Sequence, residues 1–238
     1  MAQLFLTAQW RHLIMINYHI DAQILTPFIP AGTELDLWNG SAFISLVGFM
    51  FMDTRVYGFS VPFHRNFEEV NLRFYVRHYG PSKEVRRGVV FIREIVPRRL
   101  LAFVANRLYN ENYIALPMQH SLEQNPLAAE YSWKHNNRWQ KIRAETEGTP
   151  QIPEKDSEAE FITEHYWGYS GKPTQNTLEY RVEHPPWRIW NVTHYKIDVD
   201  MHSLYGPLFA PFLEKTPVSV FLAEGSEVQV FKGTHLRL

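Results

Sequence analysis

From Phe67 to Tyr79 the chain alternates with a period of two. Val70, Leu72, Phe74 and Val76 share one face, and Glu69, Asn71, Arg73, Tyr75 and Arg77 share the other. The pattern predicts a strand that stops at the Gly80-Pro81-Ser82 loop. Ala42 to Met52 shows no such contrast and is apolar on both faces, as in a strand buried on both sides or lining a barrel. Before it, Glu34 to Leu37 reads as a strand, and Trp38-Asn39-Gly40-Ser41 reads as a hairpin turn with Asn-Gly at its centre. Asp21 is placed to cap a short helix through Ala22-Gln23-Ile24-Leu25, which Pro27 and Pro30 end.

Further along, Val89 to Val96 is predicted as a strand. Pro97 opens a helical stretch from Arg98 to Leu108, with Leu100, Leu101, Val104 and Leu108 at helical spacing. Tyr113 to Met118 returns as strand. Ala129 to Trp133 and Trp139 to Ala144 form a hairpin around His135-Asn136-Asn137, and the polar stretch Glu147 to Asp156, with two prolines, is expected to be a loop. Ser157-Glu158-Ala159-Glu160 has capping-box spacing for a short helix running to about Tyr166. Leu178 to Glu183, Trp190 to Ile197, Val218 to Ala223 and Glu227 to Phe231 complete the strands, with a short helical region broken by Gly206-Pro207 and Pro211 before the last pair. The reading is mainly β (α+β): a barrel-like or folded-over sheet with a few short helices, in a single domain over residues 1–238.

Composition narrows the partners. A net charge of −1 offers no basic excess for a phosphate backbone, so nucleic acid is not an expected partner. Cysteine is absent, which excludes disulfides, thiolate metal sites and a cysteine nucleophile. The first ten residues lack the pattern of a signal peptide, and the longest apolar run is too short to cross a bilayer, so a cytoplasmic protein with no membrane partner is expected. The aromatic share of 15% suits pocket walls as well as sheet surfaces. Edge strands and exposed aromatics are compatible with a homodimer.

The polar face of 67–79 is the first candidate site. If it lines a cavity, Glu69, Asn71 and Arg73 offer one ligand a carboxylate, an amide and a guanidinium. Arg73 would fork onto a substrate carboxylate, and Glu69 would act as acid or base if burial raises its pKa. The same pattern fits an ordinary solvated face on which Glu69, Arg73 and Arg77 pair. A second candidate joins Glu164-His165-Tyr166 to His184-Pro185-Pro186-Trp187 as a proton relay, against the plainer reading of a helix terminus and a stiff packing corner. The histidines show no metal-ligand spacing, and no metal or cofactor is expected. No serine elbow or phosphate-binding glycine motif is present. Lys83, Lys134, Lys155 and Lys172 fall in or beside predicted loops, Lys141 and Lys196 in strands.

Several segments resemble the YqjF-like family of uncharacterised bacterial proteins. They are Trp10 to Asn17, Pro30 to Asp36, Gly40 to Val47, Phe67 to Val76, Phe161 to Tyr169 and His184 to Trp187, and the F-x-E-x-N-x-R-x-Y-V strand is the most specific of them. The family is similar to the acetoacetate-decarboxylase-like group. The resemblance implies a bent, barrel-like antiparallel sheet around a central cavity, with the Glu69, Asn71 and Arg73 face turned toward it and Tyr75 on the same face. True acetoacetate decarboxylases carry a Schiff-base lysine beside a second lysine after a G-x-P step. The corresponding stretch here is Tyr113 to Met118, and Met118 stands where the amine would be. The imine route then has no nucleophile. The expected pocket comprises Glu69, Asn71, Arg73, Tyr75, Tyr113, Met118, Glu164, Tyr166, His184 and Trp187. Three functions remain open: a small-molecule-binding protein for an acidic, oxo or aromatic metabolite, a lyase- or hydratase-type enzyme using Glu69 and Arg73 catalytically, and a structural or partner-binding domain.

Overall fold

The computed structural model describes residues 3–60, 62, 64–99, 102, 112–174 and 176–236. Its strands are β1 (Leu4–Ile20), β2 (Glu34–Leu35), β3 (Ala42–Val56), β4 (Phe67–Tyr79), β5 (Val85–Val96), β6 (Tyr113–Ala115), β7 (Met118–Gln124), β8 (Leu127–His135), β9 (Arg138–Gln151), β10 (Trp167–Ser170), β11 (Leu178–Glu183), β12 (Ile189–Asp198), β13 (Ser219–Phe231) and β14 (Thr234–His235). Short helices α1 (Ala22–Leu25), α2 (Glu158–Thr163), α3 (Met201–Tyr205) and α4 (Ala210–Leu213) lie between them. None of the described helices is long and apolar enough to cross a membrane.

The strands form one sheet, and most of its pairings are antiparallel. Along it run β11, β10, β5, β4, β3, β1 and β13, and a further pairing of β11 with β13 closes these into a ring. From β13 the sheet continues outward through β12, β9, β8 and β7 as an arm that folds back over the ring. This explains why β3 and β4 are buried on both faces. Ile44, Leu46, Val70, Leu72, Phe74 and Val76 face an outer core, where Tyr131, Trp133, Ile142, Met201 and Leu204 from the arm and α3 meet them. Phe43, Val47, Phe49 and Tyr75 face an inner core within the ring, shared with Phe161 and Ile162 of α2.

The arm lies close against β3 because Gly48 has no side chain. A Cβ there would stand 2.8 Å from Ile142 Cδ1 and 2.9 Å from Tyr131 Cδ2. The Asn39-Gly40 turn forms as the sequence predicts, with both residues at positive φ and Trp38 bridged to Ser41. Asn136 and Asn137, also at positive φ, turn β8 into β9. Asp21 caps α1 by accepting from Gln23 N at 2.9 Å.

Four expectations need correction. Tyr113 to Met118 is not one strand: β6 pairs with β5 on the ring, β7 pairs with β8 on the arm, and Pro117, with no N–H, marks the passage between them. Part of the expected loop 147–156 is strand, since β9 runs to Gln151 and pairs with β12 across a bulge near Gly148, at φ 70°. The two strands expected over 218–231 are one, β13, bent at Gly225 (φ 74°), where a Cβ would collide with the Trp10 carbonyl at 1.9 Å. The helix expected to reach Tyr166 ends at Thr163. Of the expected Arg98 to Leu108 helix, Ala102 N donates to the Arg98 carbonyl, and most of the rest lies outside the described residues.

Candidate functional site

The ring encloses a cavity of about 410 Å³, within the range of small-molecule pockets. Most of its wall is apolar and aromatic, with Trp10, Phe49, Phe51, Phe67, Phe91 and Trp187 prominent. The polar groups come from the inward face of β4 and its neighbours. Period two turns Glu69, Asn71 and Arg73 inward together, and register places Asn71 opposite Glu94 on β5, with Glu94 opposite Tyr113 on β6. All five line the cavity.

Glu69 is 3% exposed. Its Oε1 accepts from Asn71 Nδ2 at 3.1 Å and its Oε2 from the Tyr113 hydroxyl at 3.2 Å. Burial pushes its pKa up to about 7, against the opposing effect of those two donors and of the Arg73 charge. Arg73 is 9% exposed, and no carboxylate lies within ion-pair distance of it among the described residues. Its Nε has no hydrogen-bond partner, and its guanidinium carbon stands 5.7 Å from the Tyr75 ring centroid. The Asn71 carbonyl oxygen is buried and unpartnered as well. Glu94 is 1% exposed.

On another side of the cavity stands His165, just beyond α2. Its Nε2 lies 3.3 Å from Asp36 Oδ2, which also accepts from Arg87 Nε at 2.7 Å. Burial lowers the His165 pKa to about 4 despite the neighbouring carboxylate. Asp36 is raised by burial, but the donors from His165 and Arg87 outweigh this and hold it below the usual carboxylate range. At neutral pH the pair is therefore a carboxylate and a neutral imidazole, whose Nε2–H donates to Asp36. That leaves Nδ1 as a bare lone pair, buried and without a partner.

Of the residues singled out from sequence, Glu69, Asn71, Arg73, Tyr113, His184 and Trp187 line the cavity. His184 is stacked on Trp187 at 4.1 Å between ring centroids, and it also borders a polar groove of about 830 Å³. Tyr75, Met118, Glu164 and Tyr166 are not among the lining residues. Tyr75 shares the inward face, but its hydroxyl is 2.7 Å from Ser45 Oγ and its ring backs His165 at 4.6 Å. Met118 lies on the arm, opposite Trp133, and packs on the outer core, because β7 has already left the ring. Glu164 accepts from the Tyr166 hydroxyl, and the Tyr166 ring supports His184 from behind at 4.7 Å. Each lysine of the chain is described, and none lines the cavity.

Among the wall residues outside the expected pocket set are Glu94, which sequence reasoning does not select, and His165, which it names only as part of the Glu164-His165-Tyr166 segment. Glu94 carries a signal: a carboxylate near the end of an otherwise apolar run, Ile92 to Val96, interrupted only by Arg93 and itself. His165 sits inside a candidate segment, but nothing in the pattern favours it over Glu164 and Tyr166 on either side.

The fold has solved counterparts. It matches acetoacetate decarboxylase from Legionella pneumophila with a TM-score of 0.70 at 11% identity, covering 99% of this chain and 88% of that one. It matches the enduracididine biosynthesis enzyme MppR, solved with pyruvate, at 0.67 and 11% identity, covering 100% and 92%. An acetoacetate decarboxylase-like enzyme from Sphingomonas wittichii RW1 matches at 0.64 and 11% identity, over 98% and 92%. At such identities the likeness is one of fold. In sequence, the uncharacterized protein YqjF of Bacillus subtilis (strain 168) is 30% identical over 187 residues, covering 76% of this chain and 74% of that protein. With residues 7–227 matched as well to DUF2071, a family of uncharacterized conserved proteins, the chain belongs to that family.

Proposed function

We propose that the chain binds a small organic acid, an acidic or oxo metabolite with an apolar or aromatic body, inside the ring. The observation that carries this reading is Arg73. A guanidinium cannot shed its charge, and burying one without a counter-ion is costly. Here it stands 9% exposed on a cavity wall, with Nε unpartnered. A ligand carboxylate would supply the missing partner, and the aromatic wall would take the ligand's body.

A second reading, proton-transfer catalysis of the lyase or hydratase type, is supported by Glu69. A carboxyl titrating near 7 at a desolvated wall can both take and return a proton at neutral pH. Arg73 would hold the substrate so that its reacting carbon meets Glu69. Imine chemistry is not part of this reading, since no lysine reaches the cavity.

Phenylpyruvate and pyruvate test the binding reading by calorimetry and thermal shift, with phenylacetone as the analogue lacking the carboxylate. We expect phenylpyruvate to bind and phenylacetone to bind at least tenfold more weakly. Arg73→Ala should lose phenylpyruvate affinity by about 30-fold, as for one charge-assisted contact of about 2 kcal/mol. Failure of both acids to bind, or equal binding by Arg73→Ala, overturns the assignment.

A further inference from the structure

His165 brings an unused acceptor to the cavity wall. Its side chain is 2% exposed, and three groups hold the ring. Asp36 Oδ2 lies 3.3 Å from Nε2, the Tyr75 ring backs one face at 4.6 Å between centroids, and Phe161 meets the ring edge-on at 5.3 Å. None of these three lines the cavity, whereas His165 does. The ring edge left for the cavity is therefore the one that carries Nδ1. What Nδ1 can do follows from the partner on the other nitrogen. Asp36 Oδ2 is ion-paired with Arg87 Nε at 2.7 Å, so it is a carboxylate oxygen and can only accept. The hydrogen between Asp36 and His165 then sits on Nε2. Burial opposes a second proton on the ring and outweighs the carboxylate beside it, so at neutral pH Nδ1 keeps a free lone pair. Among the described residues that lone pair has no hydrogen-bond partner. An acceptor left dry and unmatched is costly, and a donor brought to it would be strongly favoured.

Arg73 and His165 thus make opposite demands on a ligand, and they make them close together. The Arg73 guanidinium carbon stands 5.7 Å from the centroid of the Tyr75 ring, and the His165 ring lies 4.6 Å from the same centroid. A carboxylate satisfies Arg73 but has no hydrogen for Nδ1. An oxo oxygen has none either, and would set lone pair against lone pair. A hydroxyl carried near the carboxylate supplies one.

We propose that the ligand is a hydroxy acid, held at Arg73 by its carboxylate and at His165 by its hydroxyl, which donates to Nδ1. This rests on the small-acid reading above and narrows it to acids that carry a donor near the carboxylate. His165 is then a specificity-determining residue, and Asp36 is a positioning residue that acts through it. The aromatic wall takes the ligand's body, so three separate contacts fix three substituents of the hydroxyl-bearing carbon. The two mirror-image forms of such a ligand cannot both satisfy them. Asn71 Oδ1 is another unpartnered acceptor on the wall and is the competing seat for the hydroxyl.

Calorimetry with 3-phenylpropanoate and its hydroxylated forms, 3-phenyllactate and 3-hydroxy-3-phenylpropanoate, tests the assignment on one shared skeleton, each enantiomer separately. At least one enantiomer should bind about tenfold more tightly than 3-phenylpropanoate, as for one hydrogen bond made to an otherwise unmatched group. Its mirror image should lose that gain. His165→Phe keeps a flat ring against Tyr75 but removes the nitrogen. In it the tenfold preference should vanish while 3-phenylpropanoate binds as before. A preference that persists there puts the hydroxyl on Asn71 and overturns the His165 assignment. Nitrogen NMR of the wild type uses no variant: the preferred enantiomer should move the His165 Nδ1 resonance toward that of a protonated nitrogen, and 3-phenylpropanoate should leave it in place. An unmoved resonance overturns the inference even if His165→Phe fails to fold. Binding of phenylpyruvate and 3-phenylpropanoate with no gain from any hydroxyl would sink the hydroxy-acid inference alone. Failure of every acid to bind would sink the Arg73 reading along with it.

Discussion

Asp36 holds the His165 ring by its Nε2, 3.3 Å away, and thereby leaves Nδ1 as the bare nitrogen at the cavity wall. The two residues are far apart in sequence. Asp36 follows β2, where its N–H donates to the Tyr75 carbonyl at 3.0 Å, and Arg87 of β5 anchors its carboxylate. Asp36→Asn should release both restraints. Arg87 would lose its ion-pair partner, and we expect a loss of about 2 kcal/mol in urea unfolding, discounted because Arg87 is one-third exposed. Nitrogen NMR should report a single Nε2–H tautomer for His165 in the wild type and a mixture in the variant. An unchanged tautomer would mean that something other than Asp36 orients the ring.

Stability against pH should carry two opposing signatures. His165 in the unfolded chain takes up its proton near 6.5, but in the folded chain only near 4. Between those values the unfolded state binds more protons, so stability falls as pH drops. Glu69 does the reverse: its folded pKa of about 7 lies above its ordinary value of 4.5, so stability falls as pH rises between them. Over pH 4.5 to 6.5 each changes stability by about 2 kcal/mol in total, with opposite sign. In the wild type these two should largely cancel. Glu69→Gln should become more stable with rising pH across that window, and His165→Gln less stable. Parallel curves for all three proteins would contradict the assigned shifts.

How much of this is legible in the sequence depends on whether the period stays even. β4 keeps strict alternation through its candidate residues, so its inward set, Glu69, Asn71 and Arg73, can be read directly. β1 cannot be read this way. Leu6, Ala8 and Trp10 face the inner core, but beyond His12, at φ 56°, the parity switches and Leu13 and Met15 face it instead. A bulge that adds one residue inverts the pattern, and a strand that contributes Trp10 and Leu13 to the cavity then shows no clear period. The arm poses another difficulty. A polar face normally means solvent, and only the arm's burial of the opposite face of β4 turns its polar side into the lining of a cavity. Met118 escapes a sequence reading for the same reason, since nothing local to Pro117 says that the chain is leaving the ring there.

The seat of the arm predicts a sharp effect at Gly48. Tyr131 is fixed there by its hydroxyl, which donates to the His12 carbonyl at 2.9 Å, so its ring cannot easily retreat from a new methyl group. Gly48→Ala should cost about 1–3 kcal/mol, the usual range for overpacking a filled core. Urea unfolding checks it, and a neutral or stabilising result would mean that the arm can shift as a body.

Filling the cavity separates ligand binding from fold stability. Val89 lines the cavity from β5, in register with Tyr75 and away from the Glu69 end of the wall. Val89→Phe would extend a ring into the 410 Å³ of open space. In a filled core the added carbons would cost about 1–3 kcal/mol, but here they gain apolar contact without displacing neighbours, and stability should change by less than about 1 kcal/mol. The same ring would occupy the space that the ligand's apolar body needs, so phenylpyruvate affinity should fall at least tenfold while Arg73 is untouched. Stability and binding thus move independently if the ligand sits within the ring. Undiminished affinity in a well-folded Val89→Phe protein would put the ligand elsewhere, with the polar groove beside His184 the next surface to probe.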